Sequence, residues 1–81
     1  QNYPNPFNPT TTISFSISKM QDVKLSVFNS SGQLVKELVN DKLSNGSHTI
    51  LFNAENLNSG IYFYTLETDN KILSNKMLLI K

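Results

Sequence analysis

The sequence predicts an all-β domain, built as a β-sandwich or a partly closed barrel, and three observations lead to this prediction. Asn, Ser and Thr dominate the polar residues, with eleven Asn against a single Ala. These residues compete with helical hydrogen bonds and favour turns, and Thr also suits strands. Apolar residues recur at every second position in several short segments, and turn-forming stretches separate these segments.

The first two predicted strands alternate cleanly between apolar and polar residues. In residues 12–18, Ile and Phe alternate with Thr and Ser. In residues 23–28, Val and Leu take every second position, and Phe28 lies on the nominally polar face. Each pattern indicates a strand with one buried face.

Two turn signals flank the third predicted strand. Residues 29–32 read Asn-Ser-Ser-Gly and predict a hairpin between the second and third strands, because Gly takes positive φ without strain. The third strand, residues 33–39, carries apolar residues on both faces, which predicts either a bulge or burial on both sides and leaves its register open. Asn45-Gly46 is the strongest short hairpin signal in the chain and predicts a second hairpin, leading to a strand at residues 48–52.

The last third of the chain predicts a connector and a final pair of strands. Residues 53–60 form a polar stretch whose one large apolar residue, Leu57, is expected to plug the end of the core, from a single helical turn. An aromatic strand follows at residues 61–66. A tight turn at 68–71 then leads into a last strand that runs from 72 to 81.

The aromatic strand has two alternative orientations. Tyr62 and Tyr64 face one way, and Ile61 and Phe63 face the other. Exposed tyrosines could stack on sugar rings, which is the basis of an alternative function as an accessory carbohydrate-binding or adhesive module. We favour the tyrosines in the core, with their hydroxyl groups reaching backbone at a corner of the sandwich.

Composition excludes several classes of protein. Seven Lys balance six Asp and Glu and there is no Arg, so a nucleic-acid-binding surface is not expected. The absence of Cys excludes disulfides and thiolate metal sites. No apolar run approaches the ~18 residues of a membrane span. Because neither an initiator Met nor a secretory signal is present, we expect a piece cut from a longer polypeptide.

Candidates for catalysis are few. His48 is the only histidine, and it lies on the core-facing register of its strand, where we expect a structural role at the edge of the sandwich. There is no G-x-S-x-G elbow and no glycine-rich phosphate loop. We therefore predict no enzyme activity, no catalytic, metal-binding or cofactor-binding residue, and no cofactor.

The chain opens with QNYPNPFNP, which contains all three of its prolines. Each proline biases the preceding residue towards extended backbone, and the rings of Tyr3 and Phe7 give the segment apolar surface to bury. We interpret residues 1–10 as an ordered strap that packs across a sandwich formed by residues 11–81.

These features, taken in order, resemble a known family over essentially the whole chain. The segments that carry the resemblance are residues 2–9, 11–15, 27–29, 32–33, 45–48, 57–64 and 76–81. They are similar to the type A C-terminal sorting domains of the type IX (Por) secretion system of Bacteroidota and relatives. The candidate recognition residues that the family motifs supply are Tyr3, Pro4, Asn5, Pro6, Phe7, Pro9, Gly32, Gly60, Tyr62, Lys76, Met77 and Lys81.

The resemblance implies an Ig-like antiparallel β-sandwich of six to seven strands, working as a single sorting domain cut from a larger secreted protein. Such a tail follows an N-terminal cargo domain through the periplasm. An outer-membrane translocon then recognises it, and a sortase-like surface protease commonly removes it. The cargo ends on the cell surface or outside the cell. We expect the domain to be monomeric, without a membrane span or nucleic-acid partner.

The last predicted strand suggests how recognition works. Lysines 76 and 81 flank its apolar residues, and an exposed strand edge there would pair with a partner strand by β-augmentation. The alternative is that this strand simply completes the core, so that its deletion unfolds the domain.

Overall fold

In the part of the chain that the structure describes, seven strands form two antiparallel sheets packed face to face. The computed structural model describes the backbone of residues 2–3 and the whole of residues 6 and 8–81. The strands are β1 (Asn2–Tyr3), β2 (Thr10–Ile17), β3 (Gln21–Asn29), β4 (Leu34–Leu43), β5 (Gly46–Asn53), β6 (Gly60–Glu67) and β7 (Ile72–Leu79). One sheet has three strands in the order β1-β2-β5, and the other has four in the order β4-β3-β6-β7. This arrangement confirms the predicted all-β, Ig-like sandwich.

The core lies between the two sheets and follows the predicted alternation of the strands. Its buried hydrophobic residues in the described chain are Ile13, Ile17, Val23, Leu25, Val27, Phe52, Ala54, Tyr62, Tyr64, Leu66, Met77 and Leu79. In β2, β3 and β6 the inward set takes every second position, because successive side chains of a strand point to opposite faces of the sheet. The alternation therefore placed the buried face of these three strands correctly.

The strand β4 lies at the edge of the four-stranded sheet and pairs irregularly with β3. The register shifts between Leu25 and Ser26 and again between Val27 and Phe28. Partly buried hydrophobic residues of β4 pack against the core, including Val35 and Leu38. The sequence left a bulge and two-sided burial open for this strand, and the structure shows an irregular ladder with apolar residues that are half-covered.

Two turns join neighbouring strands of the four-stranded sheet. Between β3 and β4, the Asn29 side-chain oxygen accepts hydrogen bonds from the backbone N–H groups of Ser31 and Gln33, each at 3.0 Å. Gly32 has φ +82° and donates to the Asn29 carbonyl at 3.0 Å. Between β6 and β7, the Thr68 N–H donates to the Lys71 carbonyl at 2.9 Å. Both predicted turns are confirmed.

The hairpin predicted at Asn45-Gly46 is wrong. β4 and β5 belong to different sheets, and β5 pairs along its whole length with β2, from Ile17 opposite Gly46 to Thr10 opposite Asn53. Gly46 has φ +123°, so the chain does use the freedom of glycine here. The Asn-Gly signal reports a local change of backbone direction, and it carries no information about which sheet the following strand joins.

Candidate recognition site

The segment Ala54–Ser59 joins β5 to β6 and crosses from one sheet to the other, and we call the end of the sandwich where it lies the connector end. Strand register brings other parts of the chain to the same end. Thr10, the first residue of β2, lies opposite Asn53, and Leu79, the last of β7, lies opposite Gly60. Asn29, where the β3–β4 turn begins, lies opposite Tyr62. Stretches far apart in sequence therefore meet here.

The segment before β2 is bonded to the connector. The Pro9 carbonyl accepts a hydrogen bond from the N–H of Ala54 at 2.9 Å, and Ala54 is completely buried. The Leu57 N–H donates to the Ala54 carbonyl at 3.0 Å, which closes a turn and holds the Leu57 side chain against the core. The expected plug is confirmed, and a turn rather than a helical segment carries it.

The residues after β7 are bonded to the same connector. The backbone N–H of Lys81 donates to the Ser59 hydroxyl oxygen at 3.0 Å. The Lys81 ammonium group also donates to the backbone carbonyl of Glu55. The connector is thus held on one side by the residue before β2 and on the other by the second residue after β7.

Tyr62 holds the connector from within the core. Its side chain is buried, and its hydroxyl group donates to the carbonyl of Asn58 at 2.7 Å. A tyrosine at the start of this strand, bonded to backbone a few residues upstream, is the tyrosine corner of Ig-like sandwiches. The preferred orientation of the aromatic strand is confirmed, because Tyr62 and Tyr64 are both buried. The tyrosine surface for stacking on sugars is not available in this fold.

Several of the family-motif residues meet at the connector end. The members brought together there are Pro9, Gly32, Gly60, Tyr62, Met77 and Lys81. Of these, Tyr62 and Met77 are buried and lie opposite each other on β6 and β7. Their motif positions are therefore explained by packing, whereas Lys81 lies at the surface.

The remaining motif residues are separate from this group or lie outside the described residues. Lys76 is exposed on β7, opposite Phe63, and Pro6 is exposed as well. The backbone of Tyr3 pairs with Thr12. The side chain of Tyr3 and all of Pro4, Asn5 and Phe7 lie outside what the structure describes, so the burial of the two rings in a strap stays a prediction.

Sequence reasoning missed the acceptors in the connector. Glu55 and Asn58 accept hydrogen bonds through backbone carbonyls, which every residue type carries, so composition gives no signal for them. The spacing does give one: a tyrosine that follows a turn, on the first positions of a strand, is typical of the tyrosine corner.

The outer face of the four-stranded sheet carries an exposed apolar surface at the connector end. Phe28 lies between Leu34 of β4 and Phe63 of β6, and Ile61 and Leu78 form the next pair along the sheet. Apart from half-buried Phe28, these side chains are exposed. Exposed apolar surfaces of this kind on a sheet often mark contact with a partner.

His48 takes a structural position. Its ring stacks on Phe15 with centroids 5.6 Å apart, and its Nε2 donates to the Ser44 carbonyl at 2.8 Å. Among the described residues, no group of three His, Asp or Glu side chains is arranged to hold a metal ion. Over the same part of the chain, no helix has the length and apolar character needed to cross a membrane.

Comparison with known proteins gives one match. The family model described as a secretion system C-terminal sorting domain matches residues 1–81, the whole chain. No curated protein matches the chain, and no solved structure does.

Proposed function

Because the chain belongs to the secretion system C-terminal sorting domain family, we propose that it directs a larger protein, fused to its N-terminus, across the outer membrane through the type IX secretion system. Sorting domains of this family are not catalytic, and a type IX sorting tail implies export to the cell surface or the extracellular space. The cargo passes through the periplasm first. A sortase-like surface protease then removes the tail, and the cargo is attached to the surface or released.

The family match over the whole chain carries this proposal. The connector end supports it, since the motif residues serve a single folded unit there rather than a linear peptide. Pro9 at the start and Lys81 at the end both bond the connector. We propose that the translocon reads this folded, monomeric domain, and that the domain itself has no enzyme activity and no cofactor.

Export of a reporter tests the function directly. A periplasmic signal peptide and a fluorescent reporter are placed before residues 1–81 in a bacterium that has a type IX system. We expect the reporter on the surface or in the medium, and we expect it to be retained in the periplasm of a strain without the translocon. Protease treatment of whole cells, together with assay of the medium, measures the exported reporter against the reporter retained in the periplasm. The same reporter without the tail is the control, and equal export with and without the tail contradicts the proposal.

We further propose that the translocon recognises the edge strand β7 by β-augmentation, with the motif residues Lys76 and Met77 lying on it. β4, the opposite edge of the same sheet, carries four charged residues and two register shifts, which discourage pairing. β7 carries one charged residue and pairs regularly with β6 from Ile72 to Leu79. A long, regular edge with little charge is a suitable template for an added strand.

Lysine substitution on this edge tests the second proposal. Ile72 and Ser74 are exposed on β7, so Ile72→Lys with Ser74→Lys adds charge while leaving the core intact. We expect reporter export to fall severalfold while the melting temperature stays within a few degrees. Leu34→Lys with Asn40→Lys on β4 adds the same charge to the opposite edge, also at exposed positions. Equal export by both double variants would show that β7 is not the recognised edge.

A further inference from the structure

The strand β2 has a neighbour on both sides over only part of its length. On one side it pairs with β5 from Thr10 to Ile17. On the other side, among the residues that the structure describes, β1 pairs with it at Thr12 and Ile13. Within the part of the chain that the structure describes, Ser14–Ile17 has a partner strand on the β5 side alone. The sheet thus has an open position beside one half of β2.

A groove runs along this open half of β2. Phe15 and Ser16 form one wall, and Tyr64, Leu66 and Leu73 of the facing sheet form the other. A second groove shares Ser16, Leu66 and Leu73 and continues towards the far end of the sandwich. The two grooves together follow the backbone of β2 beyond the point where β1 pairs with it.

Leu73, in the wall formed by the facing sheet, gives the groove an apolar surface. It lies opposite Leu66 on the face of β7 that is turned towards the core, yet 52% of it is exposed. Its register neighbour Leu66 is buried. A core-facing leucine left half open indicates that the three-stranded sheet does not extend over this part of β7.

The direction of β1 leads into this open position. β1 runs antiparallel to β2, with Asn2 opposite Ile13 and Tyr3 opposite Thr12. A step to lower numbers in β1 is therefore a step to higher numbers in β2. Continued without a bulge, the same register reaches Ile17 at the third residue before Gln1.

We propose that the polypeptide immediately upstream of Gln1 in the full-length protein continues β1 along β2 as far as Ile17 and covers the groove. The inference rests on the proposed function, which places a cargo on the N-terminal side of the domain. Backbone hydrogen bonds to residues 15–17 hold the added strand, and every second side chain rests on Leu66 and Leu73. The occupant is thus an extended segment with apolar residues at alternate positions.

One consequence concerns the border between cargo and tail. The folded unit then begins about three residues before Gln1, since a strand paired with Ile17 is part of the sheet. A tail cut off at Gln1 keeps the fold and loses this added strand. The inference therefore predicts a domain that is more stable when it keeps its native upstream residues.

Hydrogen exchange tests the inference without any translocon. Two proteins are compared: residues 1–81, and the same chain with the ten residues that natively precede Gln1. In the longer protein we expect the amides of residues 15–17 that point towards the added strand to exchange about tenfold more slowly, and the melting temperature to rise by several degrees. Equal exchange rates in this stretch would overturn the inference.

Two substitutions on β7 make the test specific to the groove. Leu73→Asp places a charge in the groove. We expect it to abolish the protection from hydrogen exchange that the upstream residues give. Ile72→Asp is the matched control, because Ile72 is 68% exposed on the other face of the same strand, and it should leave that protection intact. Protection that survives Leu73→Asp would also overturn the inference. If exchange is slower in the longer protein but the reporter is not exported, the inference about the upstream strand stands and the proposed function is contradicted.

Discussion

Deletion of residues 77–81 should unfold the domain. Met77 and Leu79 are buried core residues, and they lie opposite Tyr62 and Gly60 of β6. Losing a large buried side chain costs about 2–5 kcal/mol, so losing both removes about 4–10 kcal/mol. A domain of 81 residues has a stability near the lower end of about 5–15 kcal/mol. We expect the circular dichroism of the truncated protein to lack the β signal and its melting to lack a cooperative transition.

The matched control is the deletion of residues 80 and 81 alone. Ile80 is half exposed, and Lys81 supplies the two hydrogen bonds to the connector. Each such bond contributes about 0.5–1.5 kcal/mol, and about 1 kcal/mol lowers the melting temperature of a domain this size by about 4–8 °C. The control should therefore stay folded and melt roughly 4–24 °C lower. A cooperative melt in the protein truncated at residue 76 would show that the second half of β7 is dispensable for the core. If the longer deletion unfolds the domain as expected, only the shorter deletion can be used to study recognition separately from folding.

The last strand can therefore both complete the core and offer an edge for an added strand, so these two interpretations are not exclusive. The pattern of β7 leaves Ile72–Lys76 exposed and buries Met77 and Leu79. The first half of the strand is exposed and lies at an edge of the sheet as far as the structure describes it, while the second half completes the core at the connector end. The sequence alone left these alternatives open, because a run of apolar residues does not reveal whether its strand lies at an edge.

Local patterns predicted the parts of the fold that local chemistry decides. Alternation located the buried faces of β2, β3 and β6, since the strand period of two sets which side chains share a face. The turns at Asn29–Gly32 and Thr68–Lys71 were predicted because their residues satisfy backbone groups within the turn. Both kinds of information are contained within a few residues of sequence.

Local sequence patterns did not predict which distant strands pair with each other. Asn45-Gly46 predicted a hairpin, yet β5 pairs with β2, about thirty residues away along the chain. The same holds for the connector end, where Pro9 bonds Ala54 and Lys81 bonds Ser59. These bonds use backbone groups or a single hydroxyl, so no residue type marks them in advance.

The motif residues divide into two groups once the structure is considered. Tyr62 and Met77 lie in the core, and Gly32 takes a left-handed turn, so each is needed for the fold itself. Lys76 and Lys81 are exposed, so burial in the core does not explain their place in the motif. Three of the motif residues, Gly32, Tyr62 and Met77, are therefore explained by the fold without any partner.

Leu25→Ala should destabilise the domain by about 2–5 kcal/mol, with a large part of its stability lost. Leu25 is completely buried in β3, which is one of the two inner strands of the four-stranded sheet. It lies opposite Val39 of β4 and Leu66 of β6, so truncation leaves a cavity that three strands line. Urea unfolding measures the loss of stability as a lower midpoint concentration of urea, with an unchanged dependence of the free energy of unfolding on urea concentration.

Leu51→Ala makes the identical chemical change at an exposed site and isolates the effect of burial. Leu51 is 64% exposed on β5, on the face opposite buried Phe52. Truncation of its side chain should therefore lower the free energy of unfolding by no more than about 0.5 kcal/mol. Equal midpoints for the two variants would mean that β3 does not form the centre of the core. Because the translocon is proposed to read a folded domain, Leu25→Ala should also reduce reporter export in proportion to the unfolded fraction, whereas Leu51→Ala should not.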